Sequence, residues 1–248
     1  MEVKILGTVS PYSKGIHNCP GYLVSGNNNK ILLDCGNGIT RLMNMEQDLK
    51  NLTIIISHLH KDHYGELLAI GYASYVYKKL GCIQERIPVY IPKDNTTDYL
   101  FLNDFGNEHF LEFIYYDETS KININDIKIN FSLNPHQIKT YSIKVENNSE
   151  SLVYSSDTGY KNNSLEIFAK GVNLFICEST FLKGQAKELD YHLYAYEAAL
   201  IAKNAGVYKL LLTHFWPEID AQNYVDEASY IFSNVEAAKE NKIYKLTK

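Results

Sequence analysis

The sequence predicts an α/β protein built as a four-layer αββα sandwich, two β-sheets face to face with helices outside. Three observations predict it. Apolar runs of strand length alternate with longer segments of helical period. The alternation runs twice, strands followed by helices in each half of the chain. Turn clusters such as Ser25-Gly26-Asn27-Asn28 and Asn147-Asn148-Ser149 separate neighbouring strands into hairpins. At 248 residues, one domain spanning 1–248 can bury a sizeable core, and two separate domains are not expected.

In chain order, strands are expected near 2–7, 21–25, 30–34, 52–57, 87–91, 111–116, 127–133, 140–146, 151–156, 172–178, 208–213 and 242–246. The run Leu52-Thr53-Ile54-Ile55-Ile56 is continuously apolar, as in a strand buried on both faces. Residues 127–133, Ile-Lys-Ile-Asn-Phe-Ser-Leu, alternate as a half-buried strand does. Helices are expected near 37–47, 64–80, 96–105, 162–169, 193–205 and 221–233. The helix at 193–205 is expected to place Leu193, Tyr196, Leu200 and the neighbours of Ala205 against a sheet. The aromatic-rich segment 95–116 suits a lid or an ordinary crossover helix and edge strand, and the second is expected. Trp216 either lines the mouth of a site or packs behind the strand before it. Gly7-Thr8 and Gly36-Asn37-Gly38 are read as tight turns. No Gly-x-Gly-x-x-Gly nucleotide loop is present.

The chemistry concentrates in Ser57-His58-Leu59-His60-Lys61-Asp62-His63, directly after the buried run. Three histidines and one aspartate at a strand end are the donors of a metal site. On extended chain, His58 and His60 point the same way. Asp62 and His63 then fall at a helix start and can reach a second ion. Three more candidates end expected strands: His136, Asp157 before Thr158-Gly159, and His214. Each alone has a plainer reading, a turn aspartate or a satisfied polar group. Together they make seven ligands, enough for two ions bridged by one carboxylate.

This set resembles the metallo-β-lactamase superfamily motif, His-x-His-x-Asp-His followed by His, Asp and His, and within it the ribonuclease Z-like phosphodiesterase branch. Leu6-Gly7-Thr8, Leu33-Asp34-Cys35-Gly36, Leu212-Thr213-His214-Phe215 and Cys177-Glu178-Ser179-Thr180-Phe181, with His192 downstream, also fit that branch. The resemblance implies the metallo-β-lactamase-type sandwich. It implies one ion on His58, His60 and His136, another on Asp62, His63 and His214, and Asp157 between them. Two divalent ions, zinc first with manganese or iron as alternatives, about 3.5–4 Å apart, lower the pKa of a shared water so that hydroxide attacks phosphorus. Asp62 can accept a proton from that water. His192, oriented by Glu178, is similar to the pair that protonates the leaving group in that branch. The plainer alternative makes Glu178 a structural strand-end residue and His192 part of a helix start.

The departures bear on substrate. His136 and Asp157 stand 21 positions apart, room for a hairpin but not for the arm with which ribonuclease Z grips tRNA. His17-Asn18 stands where that family has Arg-Asn. Net charge is −5 and the only arginines are Arg41 and Arg86, so the electrostatic basis for gripping tRNA is missing. The expected function is therefore hydrolysis of a small phosphodiester, a cyclic nucleotide or a short oligonucleotide end. RNA remains a possible partner. Alternatives are tRNA 3′ processing, a lactonase or thioesterase on the same fold, and, last, a non-enzymatic binding module. No segment approaches eighteen consecutive apolar residues, so no membrane span is expected, and residues 1–9 lack a signal-peptide core. Cys19, Cys35, Cys82 and Cys177 form no Cys-x-x-Cys pair and read as reduced, mostly buried thiols. A cytoplasmic location is expected, and a homodimer is compatible with the resemblance.

Overall fold

Period-two burial shapes the strands. Ile127, Ile129 and Phe131 turn inward while Lys128 faces out. The structure, a computed structural model, describes residues 1–93, 97–185 and 190–246. The first half runs β1 (Glu2–Gly7), β2 (Gly21–Gly26), β3 (Asn29–Leu33), a 3₁₀ turn (Ile39–Leu42), α1 (Met45–Asp48), β4 (Leu52–Ile55), α2 (Lys61–Tyr64), α3 (Leu67–Lys79), β5 (Ile87–Pro92), α4 (Thr97–Glu108) and β6 (Leu111–Tyr116). The second half follows with β7 (Ile122–Ile124), β8 (Ile127–Leu133), β9 (Tyr141–Glu146), β10 (Ser151–Tyr154), α5 (Ser164–Phe168), β11 (Leu174–Glu178), α6 (Ala195–Ala205), β12 (Lys209–Thr213), α7 (Ala221–Ser229), β13 (Val235–Ala237) and β14 (Ile243–Lys245).

Two seven-stranded mixed sheets result, ordered β14-β1-β2-β3-β4-β5-β6 and β13-β12-β11-β10-β9-β8-β7. In each, an antiparallel meander passes into a parallel run, β3 to β6 and β10 to β13. Between the sheets pack Val3, Ile31, Ile55, Ile129, Tyr154, Ile176 and Leu211. Leu67, Ile70 and Leu102 cover the first sheet outside, and Ala198, Ile201 and Tyr224 cover the second. These are the four layers expected. Strand β14 crosses back from the second half to pair antiparallel with β1, so the halves share a sheet.

Several expectations need correction. The helix at 37–47 is two short pieces, because Met43 and Asn44 adopt extended ψ and the Asp48 side chain accepts from the Asn44 N–H. The helix expected at 64–80 is α3, and the short turn α2 precedes it. On α6 the buried apolar residues are Ala195, Ala198, Ala199, Ile201, Ala202 and Ala205, while Tyr196 and Leu200 are only half-buried. Small alanines let this helix lie close to the sheet. Strands β7 and β13 were not expected, since three residues carry no period. Of segment 95–116, residues 95 and 96 lie outside the described residues. The rest is a crossover helix and an edge strand, with Tyr99 stacked on Tyr115. The 21-position interval is the hairpin β9–β10, closed by the Asn147 side chain, which accepts from the Ser149 and Glu150 N–H groups.

Candidate metal centre

The carboxyl ends of the parallel strands meet along one edge, where open α/β sheets place their ligands. Three residues just past those ends take left-handed backbone: Asp34 after β3, Ser156 after β10 and His214 after β12, with φ of 57°, 52° and 63°. A non-glycine in this region is strained and commonly marks a functional turn. Here the turns aim side chains into the cleft. Two glycines permit close approach. A Cβ on Gly36 would lie 2.2 Å from the Asp62 carbonyl oxygen, and one on Gly159 would lie 1.8 Å from that of Asp190. Gly36 is therefore a contact glycine rather than the turn residue expected.

All seven sequence-predicted ligands converge. His58 Nε2 lies 3.1 Å from His60 Nδ1, which lies 3.3 Å from His136 Nε2. Asp157 Oδ2 faces His58 Nε2 at 3.6 Å and His136 Nε2 at 3.8 Å. On the other side, His63 Nε2 and His214 Nε2 are 3.3 Å apart, and Asp62 Oδ2 is 3.6 Å and 4.0 Å from them. Asp157 Oδ1 faces these two nitrogens at 3.3 Å and 3.0 Å. The two oxygens of Asp157 thus address one cluster each.

The hydrogen-bond partners fix the imidazole tautomers. Thr180 Oγ1 gives its one proton to Glu178 Oε2 at 2.8 Å, so it accepts from His214 Nδ1, also at 2.8 Å. Ser57 Oγ gives its proton to Asp34 Oδ2 and accepts from His58 Nδ1 at 3.1 Å. His63 Nδ1 donates to Asp34 Oδ2 at 2.7 Å and His136 Nδ1 to the Tyr191 carbonyl at 3.1 Å. In their neutral forms all four turn a bare Nε2 lone pair inward. Lone pairs facing one another and a carboxylate repel unless a cation lies between them. Asp157 Oδ1 makes the same point: it is buried and accepts no hydrogen bond among the described residues. The residues therefore fit metal ions.

Electrostatics agree. Burial holds His58 well below its ordinary pKa, His136 at about 4 and His214 at about 3, which keeps them in the neutral, ligating form. Burial pushes the Asp157 carboxyl up to about 7. Burial also opposes charge on His63, but Asp157, Asp62 and Asp34 outweigh it and raise the imidazole to about 10. Three carboxylates around one buried ring call for positive charge at that point.

Beside this cluster, His192 Nδ1 donates to Glu178 Oε1 at 2.9 Å. Glu178 is fully buried and also accepts from the Thr158, Thr180 and Leu193 N–H groups. It is thus both the structural strand-end residue and the partner of His192. The His192 ring stacks on His214 at 5.4 Å and sits edge-on to His136 at 5.3 Å. A nitrogen of His192, one of His214 and an oxygen of Asp157 lie within 4.8 Å of one another, a third grouping the sequence did not suggest. Sequence reasoning also missed the residues behind the cluster. Asp34 accepts from Ser57 N–H, Ser57 Oγ, Tyr154 OH and His63, and Ser10 Oγ donates to Asp62 Oδ2 at 2.8 Å. An ionisable residue closing the apolar run Ile31-Leu32-Leu33 was the available signal for Asp34. Nothing distinguished Ser10. Asn18, in the altered Arg-Asn position, is structural: it donates to the Leu6 carbonyl and accepts from Arg41 Nε.

This fold, with a histidine–aspartate cluster fit for metal at the strand ends, defines a metallo-β-lactamase-fold, metal-dependent hydrolase. The chain belongs to the family described as anti-Pycsar protein Apyc1, whose sequence pattern matches residues 1–229. It is 26% identical to the probable metallo-hydrolase YhfI of Bacillus subtilis, over 86% of each chain. The crystal structure of YhfI superposes with a TM-score of 0.89 over 98% of both chains, at 25% identity. A ribonuclease Z of Clostridium acetobutylicum is 26% identical, covering 98% of this chain and 97% of that enzyme. No helix among the described residues is long and apolar enough to cross a membrane.

Proposed function

We propose that the protein is a dinuclear, zinc-dependent phosphodiesterase that hydrolyses a small phosphodiester, a cyclic nucleotide or a short oligonucleotide end. The observation that carries this reading is the pair of nitrogen-rich clusters sharing Asp157, with His192 charged by Glu178 beside them. His58, His60 and His136 would hold one ion, Asp62, His63 and His214 the other, and Asp157 both. When bound, the ions supply a nucleophile at neutral pH and neutralise charge on the phosphoryl oxygens. The chain's own groups do the rest. Asp62 accepts a proton from the attacking water. Burial opposes charge on His192, yet the Glu178 carboxylate overrides it and lifts the imidazole to about 9. His192 is thus protonated at neutral pH, and its Nε2, free of Glu178, delivers the proton to a leaving alkoxide. The side chain is 26% exposed, which lets substrate reach it.

Weak processing of tRNA precursors is expected, since the β9–β10 hairpin stands where a gripping arm would be. Buried free thiols at Cys19, Cys35 and Cys177 support a reducing, cytoplasmic setting. The test is elemental analysis followed by a substrate screen. Two ions per chain and hydrolysis of bis-p-nitrophenyl phosphate are expected. His192→Ala should slow a cyclic nucleotide about 10²–10⁴-fold and the nitrophenyl ester far less, because nitrophenolate leaves without protonation. Hydrolysis of lactones or thioesters without phosphodiesters would overturn the reading.

A further inference from the structure

Loop residues 8–10 and the chain after β12 run side by side. Val9 forms a parallel bridge with Phe215, Phe215 N–H donates to the Thr8 carbonyl at 2.9 Å, and Ser10 N–H donates to that of Phe215 at 3.0 Å. Each segment delivers a residue to the metal cluster, Ser10 behind Asp62 and His214 itself. Two residues further along each lie Tyr12 and Trp216. Two residues of chain span at most about 7 Å, so the backbone of Tyr12 lies within that reach of Ser10 and that of Trp216 within that reach of His214.

Tyr12 is 42% exposed and Trp216 39% exposed, whereas the intervening Phe215 is buried against Tyr224. The two rings meet edge to face, with centroids 6.0 Å apart and planes at 77°. That geometry covers one face of one ring and leaves the other faces open. The pair is nevertheless held. Tyr12 OH donates to Glu218 Oε1 at 3.0 Å, Lys14 forms an ion pair with Glu218, and the backbone N–H of Trp216 donates to Tyr224 OH, which anchors the main chain there. Exposed rings, one anchored by Glu218 and the other braced edge-on against it, form a stacking platform, and a charged acceptor and donor lie at its edge. On the other flank, beside His136, Tyr191 already carries the Lys161 ammonium over its ring.

We propose that Tyr12 and Trp216 form a subsite that stacks on the nucleobase of a nucleoside phosphodiester whose phosphate lies at the metal cluster. The inference rests on the phosphodiesterase reading and adds to it the residues that would hold the base. Every base has a π-face, so stacking grips a nucleotide with little regard to base identity. Glu218 and Lys14 at the edge are placed to favour some bases over others.

Trp216 is the only tryptophan of the chain, so its emission reports the subsite directly. Metal-loaded protein is titrated with a nucleoside 5′-monophosphate and, separately, with ribose 5-phosphate, each with inner-filter correction. The nucleotide is expected to quench Trp216 saturably. Ribose 5-phosphate should compete without quenching. Tyr12→Ala should weaken nucleotide binding about 10-fold, while Tyr12→Phe, which keeps the ring, should restore it. Equal effects of the two phosphates, no quenching at saturating nucleotide, or a Tyr12→Phe variant as weak as Tyr12→Ala would each overturn the subsite. Hydrolysis of bis-p-nitrophenyl phosphate by the same preparation keeps the two claims apart. Hydrolysis without quenching sinks the subsite alone. Quenching without any phosphodiester hydrolysis supports the subsite and overturns the reaction.

Discussion

Two buried carboxylates, one at the end of a strand in each sheet, use the same device to different ends. Asp34, after β3, bonds one histidine directly, His63, and another through a hydroxyl, His58 by way of Ser57. Glu178, ending β11, bonds His192 directly and His214 by way of Thr180. Both relays fix a tautomer and make the imidazole more basic, as groups behind metal ligands do. The difference lies in what the directly bonded ring faces. His63 is fully buried and turns Nε2 into the cluster of Asp62, Asp157 and His214. His192 stays partly exposed beside that cluster. On the proposed reading, one carboxylate prepares a ligand and the other a proton. Similar local chemistry would then serve two roles because the rings sit at different depths.

Substitution should separate the roles. The largest effect is expected from Asp34→Asn. It removes the anion behind His63 and His58 together and leaves Ser57 and Tyr154 poorly paired, so metal affinity should fall at least 10–100-fold and thermal stability with it. Metal content and a melting curve read both. Glu178→Gln should keep its ions at saturating metal and lose the proton donor, slowing substrates with poor leaving groups about 10²–10⁴-fold.

A narrower contrast sharpens the picture of the shared carboxylate. Asp157→Ala should weaken both ion sites, whereas His136→Ala should weaken one. Metal titration distinguishes them, and single-site loss in both variants would contradict the bridging assignment.

The smallest effect lies outside both corners, at Glu240. Burial raises its carboxyl from 4.5 to about 7, against the Asn18 N–H and the Arg41 guanidinium, which pull it down. The folded state therefore binds more protons than the unfolded state between those values. Stability contributed by this group is full below pH 4.5 and is lost as pH rises through about 7. Glu240→Gln stays neutral, so the melting temperature of the wild type should fall relative to the variant by about 2–4 °C between pH 4.5 and 8.

The sequence made the candidate ligands legible because clustered metal donors are rare at strand ends. Three histidines and an aspartate within six positions seldom gather there except to hold a metal, and Leu52 to Ile55 announced the strand carrying them. The sheets were legible for a related reason: β4 is apolar but for Thr53, β11 is apolar up to Glu178, and β8 alternates cleanly. The second rank was not. Ser10, Ser57 and Thr180 are common residues whose role is set by contacts across 52, 23 and 34 positions. The return of β14 to the first sheet is also a long-range pairing that three residues cannot signal. Tyr12 and Trp216 come together only because residues 8–10 and 214–216 lie side by side.

The most direct test of the division between ligand and proton is a ratio of rates. Asp34→Asn, Glu178→Gln and wild type, equilibrated at one free metal concentration just sufficient to load the wild type, are each assayed on bis-p-nitrophenyl phosphate and on a cyclic nucleotide, with metal content measured on the same samples. Glu178→Gln is expected to keep its two ions and to shift the ratio toward the nitrophenyl ester by about 10²-fold or more. Asp34→Asn should lose both rates in step with its metal and leave the ratio at the wild-type value. An unchanged ratio in Glu178→Gln with both ions present, or a shifted ratio in Asp34→Asn, would contradict that division.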